Sequence, residues 1–264
     1  MPPRNATASK PASATTRPAG RRPGRPAGPD SGTLDRATVL AVALELAKTV
    51  PLSQLSVVYV ARELGVTPGL IHYYVGGRGP LTSGVMSAFW MQVVTQWPAT
   101  TGQWREDLEK VSHALFEALL RYPGIANYFA THDRYRMVQE VGEDEIDNGL
   151  VFFEKFTNAV RAAGFDPART SVYGNLLLEF IGAYAHRTVS HRWPDQHSDF
   201  LNQKLQKLDT KAYPGIHYIR ESLVAMNAQD AFNMSLQLLL QALAAEREGV
   251  AKGGARNAKA RRDS

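Results

Sequence analysis

Past Asp30 the apolar positions recur at helical rather than strand spacing. Val39, Leu40, Ala43, Leu44 and Ala47 fall on one face of a helix, which the pattern predicts from Leu34 to Thr49. Thr33 would cap it and Pro51 stop it. Val57, Val60, Ala61 and Leu64 mark a second, short helix from Val57 to Leu64. Gly65 follows where a helix end favours a left-handed residue. Thr67 as cap and Pro68 at the first helical position open a third helix, Pro68 to Tyr74. Gly76, Gly77 and Gly79 then break the chain, and Pro80 opens the next helix.

Two short helices joined through Gly65-Val66-Thr67, with the first helix as a third leg, make a helix-turn-helix. On that packing Thr67, Pro68, Gly69, His72 and Tyr73 project outward, and Leu70, Ile71 and Tyr74 share duty between core and surface. A face with Gly, Thr, His and Tyr and no acid suits a DNA major groove. A plain three-helix bundle would have the same spacing.

The run from Ser56 to Val75 resembles the signature of the TetR family of transcriptional regulators. Val57, Val60, Ala61, Gly65, Val66, Thr67, Ile71 and Tyr74 fit it. His72 stands at the usual Tyr, Val75 at the usual Phe, and Gly79-Pro80 replaces the common acidic pair. The resemblance implies an all-α fold, in which a three-helix DNA-binding domain precedes a larger helical ligand-binding and dimerisation domain. It implies a homodimeric repressor on a palindromic operator in double-stranded DNA, released by a small-molecule effector. It assigns Thr67, Pro68, Gly69, His72, Tyr73 and Tyr74 to the recognition helix, Ser56 and Tyr59 to the neighbourhood of the DNA backbone, and Arg78 to a phosphate. With no Arg, Lys, Asn or Gln on that helix, thymine methyls and DNA shape should matter more than bidentate base contacts.

Charge is unevenly placed. Residues 1–29 carry six basic side chains and no acid; residues 249–264 carry five against Asp263; the rest holds 19 basic and 24 acidic groups. The basic pI of about 9.4 therefore belongs to the tails. Their Pro, Ala, Gly and Ser content predicts disorder in residues 1–32 and 249–264, flanking a DNA-binding domain at 33–79 and a regulatory domain at 80–248. The Arg21-Arg22-Pro23-Gly24-Arg25-Pro26 arm is similar to minor-groove AT-hook segments, so Arg22 and Arg25 are expected in an A·T-rich minor groove.

The larger part reads as helices at Pro80–Trp97, Gln103–Tyr122, Asn127–Met137, Asp144–Ala163, Pro167–Val189 and Ala228–Glu248, with a looser stretch over 192–227 holding a short helix near 198–208. The helices at 172–185 and 232–245 are apolar nearly all round, so one side of each can face another chain. They resemble the pair that forms the family's four-helix dimer interface. The segment after Asp166 is loosely similar to the regulatory domain of the tetracycline repressors. Candidate effector contacts are Trp90, Trp97, Phe116, Asn127, Phe129, Phe152, Asn175 and Glu179, an apolar wall with a few polar groups. The acidic body favours a neutral or cationic, aromatic or apolar effector.

With no cysteine, disulfides and thiolate metal sites are excluded. No GxSxG, GxxxxGK[ST], HExxH or GxGxxG run is present, so neither catalysis nor a metal or cofactor is expected. The position matching the repressors' metal-holding histidine falls near Phe129, which argues against tetracycline. No apolar run reaches a membrane span and no signal core opens the chain, so a cytoplasmic protein is expected. The alternatives are a helical small-molecule-binding protein or enzyme with a vestigial helix-turn-helix, and a non-specific DNA-coating protein.

Overall fold

The computed structural model describes residues 34–131, 138–139, 141 and 145–260, with side chains through 249. The described residues contain helices and no strand, the all-α fold expected. α1 (Arg36–Leu46) is followed by a single 3-10 turn (Leu52–Gln54), α2 (Val57–Glu63), α3 (Pro68–Val75) and α4 (Arg78–Thr95). Then come α5 (Trp104–Arg121), α6 (Pro123–Thr131), α7 (Asn148–Arg161) and α8 (Pro167–Val189). A second 3-10 turn (Pro194–His197) leads to α9 (Ser198–Leu205), α10 (Pro214–Val224) and α11 (Ala228–Ala260). Among the described residues no helix is long and apolar enough to cross a membrane.

Several boundaries differ from expectation for local reasons. Asp35 caps α1, its carboxylate accepting from the Thr38 N–H at 2.7 Å. α4 begins at Arg78, with Pro80 inside its first turn. A proline costs little there because first-turn N–H groups have no partner within the helix. α6 begins at Pro123, four residues early, and its expected end at Met137 lies outside the described residues. α7 begins only at Asn148, where the Asp147 side chain accepts from the Gly149 N–H at 2.9 Å. The stretch over 192–227 holds two helices rather than one, because Pro194 and Pro214 sit at helix starts and do not break anything. α11 continues to Ala260, past the expected start of the basic tail. Alanine, lysine and arginine there are good helix formers. The expected domain boundary at 79/80 falls in the first turn of α4.

α4 packs on α1 and α3 and also on α5 and α7. Its approach to α1 is close at Gly84, where a Cβ would come within 2.6 Å of the Leu40 side chain. A second junction joins α6 to the end of α1. The Gly124 N–H donates to the Ala47 carbonyl at 3.0 Å, and a Cβ at Gly124 would collide with the carbonyl oxygens of Val50 and Ala47. Backbone cannot step aside as a side-chain tip can. Gly124→Ala should therefore cost about 1–3 kcal/mol and lower the melting temperature by roughly 2–10 °C. Gly215→Ala, which meets open space, should leave it unchanged; equal melting of the two variants in a thermal scan contradicts this packing.

Candidate functional site

The turn between α2 and α3 is built by Gly65. Its φ of 67° is a left-handed conformation that costs a residue with a Cβ. The Gly65 N–H donates to the Arg62 carbonyl at 3.1 Å and the Val66 N–H to the Ala61 carbonyl at 3.0 Å, which closes the end of α2. Ser56 caps α2, its Oγ accepting from the Tyr59 N–H at 3.1 Å. The Arg62 guanidinium lies over the Tyr59 ring at 4.5 Å.

α3 has two unlike faces. Ile71 and Val75 are buried, at 0% and 3% exposure, and anchor it to the small core. Thr67, Pro68, Gly69, Leu70, His72 and Tyr73 are exposed, Tyr73 to 81%, and Tyr74 is half-buried with its ring edge-on to Tyr73 at 5.3 Å. Thr67 stands at the cap position, exposed, and its side chain makes no capping bond. A Cβ at Gly69 would meet nothing. Arg78 donates through Nη2 to the Ser53 carbonyl, which uses one of its five donors and ties the start of α4 to the turn before α2. Leu70, expected to share in the core, is on the outer face instead. The signal was in the spacing, since Leu70 lies three residues from both Thr67 and Tyr73. Exposed Val58 on α2 was also missed. Arg22 and Arg25 lie outside the described residues.

The expected effector contacts separate into four groups. Trp90, Phe129 and Phe152 form one aromatic cluster: Phe152 stacks on Trp90 at 4.2 Å, and Phe129 is tilted against it at 5.5 Å. Trp97 is edge-on to Phe152 at 6.0 Å. The Trp90 Nε1–H is buried and has no hydrogen-bond partner among the described residues. Phe116 belongs to a second stack, 4.0 Å from Phe232 of α11. Asn127 ties helices together, accepting at Oδ1 from His186 Nδ1 at 2.9 Å and from the Ser190 hydroxyl at 3.3 Å. Burial, with Arg192 adding to it, holds the His186 imidazole below its ordinary pKa.

Asn175 and Glu179 are exposed, on the same side of α8 as Val172 and Leu176. They stand apart from the aromatic cluster, on an exposed face. The four-residue spacing that paired them also sets them opposite the stripe of Gly174, Leu177, Ile181 and Ala185 that α8 buries.

A loop after α4 is ordered by Asp107. Its carboxylate accepts from the Thr101 N–H at 2.6 Å, the Thr101 hydroxyl at 2.9 Å and the Gly102 N–H at 3.2 Å. The Thr101 N–H bond is the main reason its carboxyl is held below the ordinary carboxylate range. No three or more His, Asp or Glu side chains among the described residues cluster to hold a metal ion.

Residues 98–247 match the family described as tetracycline repressor-like, C-terminal domain. The chain belongs to the TetR family of transcriptional regulators. Among solved structures, apo ActR from Streptomyces coelicolor is 22% identical, with a TM-score of 0.70 over 84% of this chain and 100% of that one. ActR in complex with actinorhodin is 23% identical, with a TM-score of 0.68 over 82% of this chain and 98% of that one. BioQ from Mycobacterium smegmatis is 20% identical, with a TM-score of 0.52 over 81% and 99%. No curated protein matches the chain by sequence.

For this TetR-family chain the outer face of α3 offers apolar surface and hydroxyls and no bidentate donor. Replacing thymine with uracil across a bound site should therefore weaken binding by roughly fourfold for each methyl that is buried, about 0.8 kcal/mol per carbon group. Tyr73→Ala should weaken binding by roughly tenfold while stability stays within about 0.5 kcal/mol, as for an exposed residue. Equal affinity for thymine and uracil sites in gel-shift titrations contradicts methyl reading.

Proposed function

We propose that this TetR-family regulator is a homodimeric repressor that holds a palindromic operator and is released from it by an aromatic or apolar small molecule. The observation that carries the reading is α3. One side of it is locked into the core, and the other exposes Thr67, Pro68, Gly69, Leu70, His72 and Tyr73. Such a helix is a reading head for a major groove. Ser56, Tyr59 and Arg78 stand beside it to meet the sugar-phosphate backbone, and the Arg22 and Arg25 arm would take the minor groove. Phosphate contacts position the head, and contacts to the base edges choose the site.

The second subunit is argued from apolar surface. On α8, Val172 is 63% exposed and Leu176 is exposed too; on α11, Met234 is 77% and Leu238 66% exposed. Both helices bury their other sides, Leu177 and Ile181 on α8 and Phe232 and Leu236 on α11. Exposed apolar surface on helices whose other sides are buried marks an interface, and two helices from each copy make a four-helix bundle. α9 buries no residue and α10 buries only Val224, while Phe200, Tyr218 and Ile219 are exposed. This pair lies in sequence between the two proposed dimer helices and would extend the same contact. The effector reading is supported by the orphaned Trp90 N–H within a cluster of rings. A buried donor without a partner costs about 1–3 kcal/mol, which a bound acceptor would relieve. ActR, of like fold, has been solved with actinorhodin bound.

Met234→Glu combined with Leu238→Glu should give monomers at micromolar concentration in sedimentation and abolish the discrete operator band. Dimers that persist, or monomers that bind the palindrome as tightly as the parent, contradict the proposal.

A further inference from the structure

Beside the end of α4 lies an open cleft of about 300 Å³, walled by Trp97, Pro98, Asp107 and Val111 of α5, Ala159 of α7 and Ala162 just past it. Its lining is mostly apolar, and its size is at the lower end for small-molecule sites. Lys155 reaches over the Trp97 ring, with its ammonium 5.6 Å from the ring centre. No carboxylate among the described residues lies within ion-pair distance of it. The nearby acids are already engaged. Asp107 takes three hydrogen bonds from Thr101 and Gly102, and Glu154 accepts from Asn158 Nδ2 at 2.7 Å. The cleft therefore combines an aromatic wall with a cation that no carboxylate among the described residues pairs with, and with the Asp107 carboxylate, whose oxygens are taken up by Thr101 and Gly102.

We propose that this cleft binds a planar aromatic acid, with its ring against Trp97 and its carboxylate on Lys155. The inference adds a ligand site beside the Trp90 ring cluster and outside it, with its own ligand class, and rests on the reading of the chain as effector-controlled. A cation over an aromatic face at an exposed site is a weak attraction on its own; an acid lying on the same ring meets both the charge and the apolar wall. An aromatic amine would meet Lys155 with like charge. The net acidity of the body points to a neutral or cationic ligand, but an unpaired ammonium within reach outweighs acids on the far surface, which are screened, and the Asp107 carboxylate in the cleft is held by the Thr101–Gly102 loop. The occupant would bear on the last turn of α4, because the Trp97 N–H donates to the Val94 carbonyl at 3.3 Å and Pro98 stops the helix there.

The test titrates the full chain with 2-naphthoate and with its uncharged methyl ester, by calorimetry at low ionic strength. The acid should bind more tightly than the ester by about fivefold, the upper end for an exposed ion pair. Lys155→Met should bring the acid down to the level of the ester, and Trp97→Leu should weaken both. Lys110→Met, which removes a lysine already paired with Glu106 at 2.7 Å, should change neither. No binding of the acid at millimolar concentration, equal affinity for acid and ester, or an unaltered Lys155→Met overturns the proposal. A gel shift with bound DNA separates this site from the effector reading. Lys155-dependent binding that leaves the DNA band unchanged upholds the site and removes the effector role. Release of DNA by naphthoate that is equal in Lys155→Met upholds an effector role and removes the site.

Discussion

The close seat of α1 against α4 at Gly84 determines what the rest of the molecule can do. A helix pair this near leaves no room for a side chain between Leu40 and the α4 backbone. The Gly124 contact with the Ala47 carbonyl adds a second joint between the small helices and the larger bundle. Cores packed at crystal-like density shift between discrete arrangements and do not bend continuously. The reading helix α3 is seated on α1 and α4, so its position in space is set by how α4 lies on α7 and α5. A recognition head tethered by a loop would bind DNA without being controllable from elsewhere. A head fixed to a helix shared with the ligand-binding region can be controlled.

The same arrangement explains why a small ligand could move a large DNA equilibrium. DNA accepts two heads at one spacing, about one helical turn apart or a multiple of it. A ligand that favours another lie of α4 lowers DNA affinity by its own differential affinity for the two states, and no more. Rings line this helix from its distal end inward: Trp97 meets Phe152, Phe152 stacks on Trp90, Trp90 meets Phe89, and Phe89 meets Tyr122. Tyr122 in turn lies under the Lys48 ammonium at 5.5 Å, just beyond α1. A displaced ring at one end therefore has packed neighbours all the way to the head.

The helix-turn-helix was legible in the sequence because its signals are local. Gly65, Thr67 and Pro68 each carry a backbone preference that holds whatever surrounds them, and Ile71 repeats the spacing of the core. α8 was legible to its ends, since Asp166 and Pro167 open it by cap and proline chemistry. Elsewhere the outcome depended on tertiary context. Pro214 starts α10 and Pro80 sits within the first turn of α4, but a proline in sequence reads equally as a break. Asn175 and Glu179 share a face, and only the packing of α8 shows that this face is the outer one. Lys155 and Asn158 carry no motif; α7 places them beside a cleft that the loop after α4 completes. Leu70 is hydrophobic, but its register with Thr67 and Tyr73 sets it on the outer face.

The most direct test uses the absence of native cysteine. A spin label at Glu63→Cys, on the exposed end of α2, reports the distance between the two heads of a dimer. With the heads fixed to α4, the free protein should already give a narrow distance distribution, and operator DNA should select a spacing within it. A broad distribution that narrows only on DNA would show heads swinging freely on α4, and the absence of any dipolar coupling would show that there is no second subunit; either result contradicts the account.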